Sequence, residues 1–229
     1  AFHPGDDWRY SVATDVLAHV LERATNRRID YLLKSYIFDP LEMNETTFRL
    51  SDAQLGRLMT IYGRQTLGDL PPLRRFEHRL EEQDPSRSHP TQSNDFRRGG
   101  FGLYSTLSDY CRFSRMLLTG KTLDDQVLLS PTSLEMMHGN RIPDQNLPLR
   151  IGDSPLPGYG WNLTGRVMMD TSKALFPHAT LNEFGWAGAA STFFWVDPNN
   201  QITGVIMTQF IGSNYLLADD MITAFYAAS

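Results

Sequence analysis

The sequence predicts an α+β fold in which helices cover an antiparallel sheet, and three observations predict it. Residues 1–150 are dominated by apolar residues at three- and four-residue steps, the period of helices with one buried stripe. Residues 151–229 turn β-rich, with two apolar runs flanking Asp197-Pro198-Asn199-Asn200, a strong turn signal. A last amphipathic stretch then closes the chain. Strands with one apolar face need a helical layer over it, so this order of elements specifies a layered α+β unit.

Each element has its own signal. In residues 10–25, Val12, Val16, Leu17, Val20, Leu21 and Ala24 mark one helical stripe, with Ser11 or Tyr10 near the first turn and Asn26 as C-terminal cap. Residues 29–38 read as a second helix stopped by Asp39-Pro40. Residues 51–62 give a weaker third helix, and residues 68–98, rich in Pro, Arg, Glu and Ser, read as a long surface excursion. Thr106 and Asp109 have capping-box spacing, with Asp in place of Glu, and start a helix running to Leu118. Ser130-Pro131 starts a shorter one through Met137. Residues 161–169, 191–196 and 202–210 read as strands, the last two forming an antiparallel hairpin. Residues 140–159 read as a loop, and 214–227 as the closing helix with Leu217, Met221, Ile222 and Phe225 on one side.

Composition narrows the function classes. With 41% hydrophobic and 21% charged residues the chain has the make-up of a folded protein rather than a disordered one. A net charge of −5 disfavours a nucleic-acid partner. No apolar run approaches the roughly 18 residues that span a bilayer, so no membrane span is expected. The single Cys111 can form no internal disulfide and names no compartment. His3, His19, His78, His89, His138 and His178 lack paired ligand spacing, and no phosphate-binding glycine loop occurs, so no metal or cofactor is expected. A G-x-S-x-G elbow is also absent, which removes the ordinary α/β-hydrolase reading.

Two segments remain as carriers of chemistry. Pro4-Gly5-Asp6-Asp7-Trp8-Arg9-Tyr10-Ser11-Val12 is a tight loop that delivers a Tyr and a Ser to a helix start. Gly185-Trp186-Ala187-Gly188-Ala189 leads small residues along a strand, so a ligand can lie against the backbone. Taken singly, both have plain structural explanations: Tyr10 as an amphipathic aromatic at a helix end, Ser11 as an N-cap, the glycines as a bulge.

In combination they resemble something more specific. These segments, with Phe38-Asp39-Pro40-Leu41-Glu42-Met43, Thr46-Thr47-Phe48, Gly99-Gly100-Phe101-Gly102, Tyr104-Ser105-Thr106, Asp109-Tyr110, Leu129-Ser130-Pro131 and Trp195-Val196-Asp197-Pro198, follow one order over nearly the whole chain. The order resembles the serine β-lactamase-like family of class C β-lactamases, D-aminopeptidases and family VIII carboxylesterases. The resemblance implies a β-lactamase/transpeptidase-like fold with an antiparallel sheet, covering helices and a helical subdomain. It also implies a mechanism: a Ser of an S-x-x-K motif forms an acyl-enzyme while the Lys and a Tyr manage the proton. Tyr10 matches that Tyr. A free phenol ionises near pH 10, so such a base needs cationic neighbours near neutrality. Trp186, Ala187 and Gly188 occupy the K-T-G position, and the Ala189 backbone N–H is expected to be an oxyanion donor.

Three departures shape the expectation. Lys34, Lys121 and Lys173 follow Tyr31, Leu118 and Asp170 by three residues, so S-x-x-K is absent from the chain. In the family that motif precedes the Tyr, so residues 1–229 are expected to be the C-terminal portion of a single catalytic domain, incomplete at its N-terminus and inactive alone. Its first partner would then be the missing N-terminal segment. Val12 stands where β-lactamases place an amide-binding Asn, and Trp186 replaces the Lys that attracts a β-lactam carboxylate. Both changes favour a small neutral ester as substrate, and Ala13-Thr14-Asp15 is most similar to family VIII carboxylesterases. The alternatives are a β-lactamase or D-amino-acid peptidase acting on an amide, and a non-catalytic relative that binds ligand in the same cleft.

Overall fold

The computed structural model of the chain describes residues 2–3, 5–63, 81–83, 97–174, 178–211 and 217–228. Pro4, residues 214–216 and most of the 68–98 excursion, which the sequence reading invoked, lie outside these.

Helix α1 spans Ala13–Thr25 and ends on Asn26, whose φ of 51° gives the left-handed cap expected. Its start corrects the reading of Ser11 as N-cap. Val12 holds that place without a side-chain cap bond, and Ser11 Oγ only accepts from the Ala13 N–H at 3.3 Å. The stripe expected to be buried is the second correction. Val12, Val16, Leu17, Val20 and Leu21 are exposed, and the helix packs instead through Ala18 onto Ile29 and Leu32. Asp15 accepts from the Gly100 N–H and Glu22 from the Ile29 N–H, so α1 turns a small and polar side toward its neighbours.

Helix α2, Ile29–Leu33, runs on as a wider turn over Lys34–Phe38, and the two together match the expected second helix. Helix α3 is only Asp52–Leu55, capped by a reciprocal Ser51–Gln54 box. The expected helix over 51–62 is too long because Ile61–Gly63 is strand β1, paired antiparallel to β2 (Glu81–Gln83) inside the supposed excursion.

Helix α4, Leu107–Thr119, starts where expected, with Thr106 Oγ1 accepting from the Asp109 N–H at 3.2 Å. The box is half formed. The buried Asp109 carboxylate turns away to accept from the Glu45 N–H and the Thr46 hydroxyl, tying α4 to the segment before α3. Helix α5, Pro131–His138, begins on the Ser130 cap.

The expected loop at 140–159 contains a hairpin, β3 (Leu149–Ile151) with β4 (Ser154–Leu156). The expected single strand over 161–169 is likewise a hairpin, β5 (Tyr159–Trp161) with β6 (Arg166–Met168), because the Asn162 carboxamide takes the Thr164 and Gly165 N–H groups and turns the chain. Strands β7 (Phe184–Ala187), β8 (Phe193–Asp197) and β9 (Ile202–Ile206) complete an antiparallel sheet of order β5-β6-β7-β8-β9. Asp197 Oδ1 accepts from the Asn199 and Asn200 N–H groups and makes the expected β8–β9 turn. The run expected over 202–210 breaks after Ile206; β10 (Phe210–Ile211) leaves the sheet to pair parallel with β1.

Strand β8 explains the layering. Phe194 and Val196 face a core with Phe38, Leu41, Met43, Met116 and Leu117, while Phe193 and Trp195 face Ile222 of helix α6, Leu217–Ala228. Covered on both faces, it is apolar without alternation. Of the expected α6 face, Ile222 is buried and Met221 and Phe225 are exposed. No helix among the described residues is long and apolar enough to cross a membrane.

Candidate active site

Two elements far apart in sequence meet at the start of α1. Asp7 Oδ1 accepts from the Trp8 N–H at 2.7 Å, setting the turn before Tyr10. Strand β7 presents Trp186 opposite, and its indole Nε1–H donates to the Tyr10 hydroxyl oxygen at 3.2 Å. The rings of Tyr10 and Trp186 lie 5.2 Å apart. Trp161, at the end of β5, joins them at 5.8 Å from Tyr10 and 4.5 Å from Trp186, and Trp8 packs on Trp161 at 5.1 Å. The strand register makes this possible: Trp161 pairs with Arg166, and Arg166 with Gly185.

Tyr10 remains 53% exposed despite these contacts, so its oxygen is open to a ligand. A hydroxyl has one proton and two lone pairs; with one lone pair taken by the indole, the proton and the other lone pair are available. Trp186 is half-buried, and Ala187, Gly188 and Ala189 are exposed. They form the end of β7 and the start of its three-residue turn into β8, closed by Gly188 N–H donating to Thr192 O at 2.8 Å. Val12 stands two residues beyond Tyr10, 70% exposed at the head of α1. The sequence reading thus named Tyr10 and Trp186, which the fold brings together, but not Trp8 or Trp161. Two of the chain's four tryptophans contact Tyr10 and a third, Trp8, packs on Trp161, a cluster that composition alone does not show. Tyr159, at the start of β5, is buried in a core with Ile142, Leu149 and Met168.

Arg9, next to Tyr10 in the chain, is ion-paired with Asp7. Lys34 is paired with Asp39 and Lys173 with Asp170, whose carboxyl is held down to about 2 by hydrogen bonds from Lys173 and Ser172. Behind the sheet, just before β7, burial pushes the Glu183 carboxyl up to about 7, against the opposing pull of Arg166. Asp197 beside it is also buried, but bonds from Asn200, Tyr226 and Thr180 outweigh that burial and hold its carboxyl below the usual range. Among the described residues no group of three or more His, Cys, Asp or Glu is arranged to hold a metal ion.

Comparison with known proteins bears on the family and the fold. Protein Rv1367c of Mycobacterium tuberculosis is 31% identical over 215 residues, covering 90% of this chain and 49% of the relative. Lovastatin esterase of Penicillium rubens is 25% identical over 227 residues, covering 90% of this chain and 51% of the relative. The chain therefore spans about half the length of the curated relatives it matches. Among solved structures, EstCE1, described as a hydrolase with promiscuous acyltransferase activity, superposes with a TM-score of 0.78 at 24% identity over 98% of this chain and 57% of its own. That likeness shows the fold, β-lactamase/transpeptidase-like with antiparallel strands and helices. The profile of the Beta-lactamase family matches residues 1–225, nearly end to end, and the chain belongs to that family.

Proposed function

We propose that this chain is the tyrosine-bearing, C-terminal portion of a serine acyl hydrolase that works through an acyl-enzyme, with small neutral esters as substrates. The observation that carries the reading is the Tyr10 oxygen, exposed and hydrogen-bonded to Trp186 on β7. In this scheme a Ser and Lys come from a preceding segment of the same protein, and two further observations support that partner. The chain spans about half of its curated relatives, and the apolar stripe of α1 lies exposed.

The chemistry runs as follows. The Ser Oγ attacks the ester carbonyl carbon while its proton passes to Tyr10 as the phenolate, whose own proton the Lys of the preceding segment has taken, and the Ala189 N–H stabilises the negative charge that develops on the carbonyl oxygen. Collapse breaks the bond to the alcohol, which leaves with the proton from Tyr10. Water then attacks the acyl-enzyme with Tyr10 again accepting the proton, which it passes to the Ser Oγ as the acyl bond breaks, releasing the acid and the free Ser. The indole of Trp186 donates a hydrogen bond without carrying charge, so it orients the phenol but offers no cation to a substrate carboxylate. That favours a neutral ester over a β-lactam.

Rapid mixing of the full-length protein with a p-nitrophenyl ester tests the reading. An initial burst of nitrophenol is expected, and Tyr10→Phe should lower turnover by about two to four powers of ten. Unchanged turnover in that variant removes Tyr10 from the mechanism. Faster turnover of nitrocefin or a D-Ala peptide than of the ester favours the β-lactamase or peptidase reading, and no turnover of any favours a non-catalytic binding protein.

A further inference from the structure

We propose that Ser191 and Thr208 are positioning residues that aim the Ala189 N–H at the reacting acyl oxygen, an inference that rests on the acyl-hydrolase reading above. The argument begins with the loop Ala189-Ala190-Ser191 between β7 and β8. The Ala189 N–H belongs to the same peptide unit as the Gly188 carbonyl, and in a trans peptide the two point in opposite directions. The Ser191 N–H donates to Gly188 O at 3.1 Å, taking that carbonyl on the inner side of the turn. The Ala189 N–H therefore faces outward, and among the described residues it donates to no other group.

A loop of this length places its third residue in the left-handed region, where glycine is favoured. Ser191 is there with a φ of 57°. What holds it is a strap from residues 208–210. The Ser191 hydroxyl donates to Phe210 O at 2.8 Å, the Thr208 hydroxyl donates to Ala190 O at 2.5 Å, and the Phe210 N–H donates to the same carbonyl at 3.2 Å. The strap is itself anchored, because the Tyr62 N–H of β1 donates to Gln209 O at 2.8 Å and Tyr62 pairs with Phe210. Two side-chain hydroxyls thus connect the loop to a second sheet. Each hydroxyl is spent on a backbone carbonyl, so both act through the backbone.

A purely conformational role and a positioning role make opposite predictions for Ser191→Gly. Glycine suits the backbone at least as well as serine, yet it removes the bond to Phe210. The test compares Ser191→Gly, Thr208→Val and Thr208→Ser in the full-length protein, with ester turnover and amide relaxation of residues 188–192 as readouts. The first two variants should lower kcat about ten- to a hundred-fold with KM unchanged, the scale set by a displaced or loosened donor. The Ala189 order parameter should fall from about 0.85 to below about 0.6, and Thr208→Ser should restore both. Variants that keep a rigid loop, or a loosened loop with full kcat, overturn the positioning role. A parent protein without ester turnover overturns the acyl-hydrolase reading, whereas an active parent with unaltered variants overturns this inference alone.

Discussion

Glutamine at position 183 should leave the protein's stability nearly unchanged at pH 4.5 and raise it by about 3 kcal/mol at pH 8. Glu183 is buried, and among the described residues its Oε2 meets no hydrogen-bond partner. Burial is the main reason its carboxyl sits near 7 instead of 4.5; the neighbouring Asp197 adds to the effect and Arg166 opposes it. The guanidinium of Arg166 lies 4.8 Å from the Tyr159 ring and 5.1 Å from the Phe193 ring, flanked by aromatic surface. The Tyr226 hydroxyl, which burial and its bond to Asp197 make harder to ionise, caps that second carboxylate at 2.8 Å from α6.

The sign follows from proton counting. Between pH 4.5 and about 7 the folded protein keeps a proton on Glu183 that the unfolded chain has released, so stability falls as pH rises through this window. The favourable contribution is complete below 4.5 and gone above about 7. Each power of ten in ionisation is worth about 1.4 kcal/mol, which makes the whole displacement roughly 3 kcal/mol. Against a total stability of about 5–15 kcal/mol for a typical domain, this is large. Gln keeps the shape and cannot ionise. Urea midpoints of parent and Glu183→Gln, measured at several pH values, should diverge steadily from pH 4.5 to 7 and then run parallel. Profiles that stay parallel throughout refute the reasoning, since they mean Glu183 ionises alike in both states.

Three further outcomes are expected. Trp186→Phe keeps an aromatic ring beside Tyr10 but deletes the N–H donor, so kcat/KM of the full-length protein should fall about fivefold, the worth of one hydrogen bond of roughly 1 kcal/mol. Ser130→Ala removes the α5 cap and should cost about 1 kcal/mol, read as a fall in Tm of about 2–4 °C. Gly204→Ala places a Cβ 1.9 Å from the buried Trp195 ring, and overpacking of about 3 kcal/mol should appear as a Tm drop of roughly 6 °C or more.

Much of the layout was legible before any contact was known. Asn26, the Ser130-Pro131 start and the Asp197-Pro198-Asn199-Asn200 turn occur where the sequence places them, because each depends on bonds within a few residues. The errors share a cause. The α1 stripe is a correct period with the wrong face assigned as buried, since periodicity finds an apolar side but not what covers it. The run at 161–169 hides a turn because Asn162, not a glycine-rich dipeptide, supplies it through its side chain. Asp109 has capping spacing but spends its carboxylate on Thr46, 63 residues away.

The sequence alone established the family-like order of motifs, the layered α+β class, and Tyr10 and Trp186 as the residues to watch. These rest on short-range bonding rules and on the resemblance of whole motifs. Only the tertiary structure brought the Tyr10 oxygen and the Trp186 indole together across 176 residues, added Trp8 and Trp161 to them, and closed the strap from Thr208 onto the Ala189 loop. It also buried the Glu183 carboxyl, a fate decided by what packs around a carboxylate rather than by its neighbours in the chain. Contacts of that range carry no local signature, because the chain encodes them through the shape of every layer between the two partners.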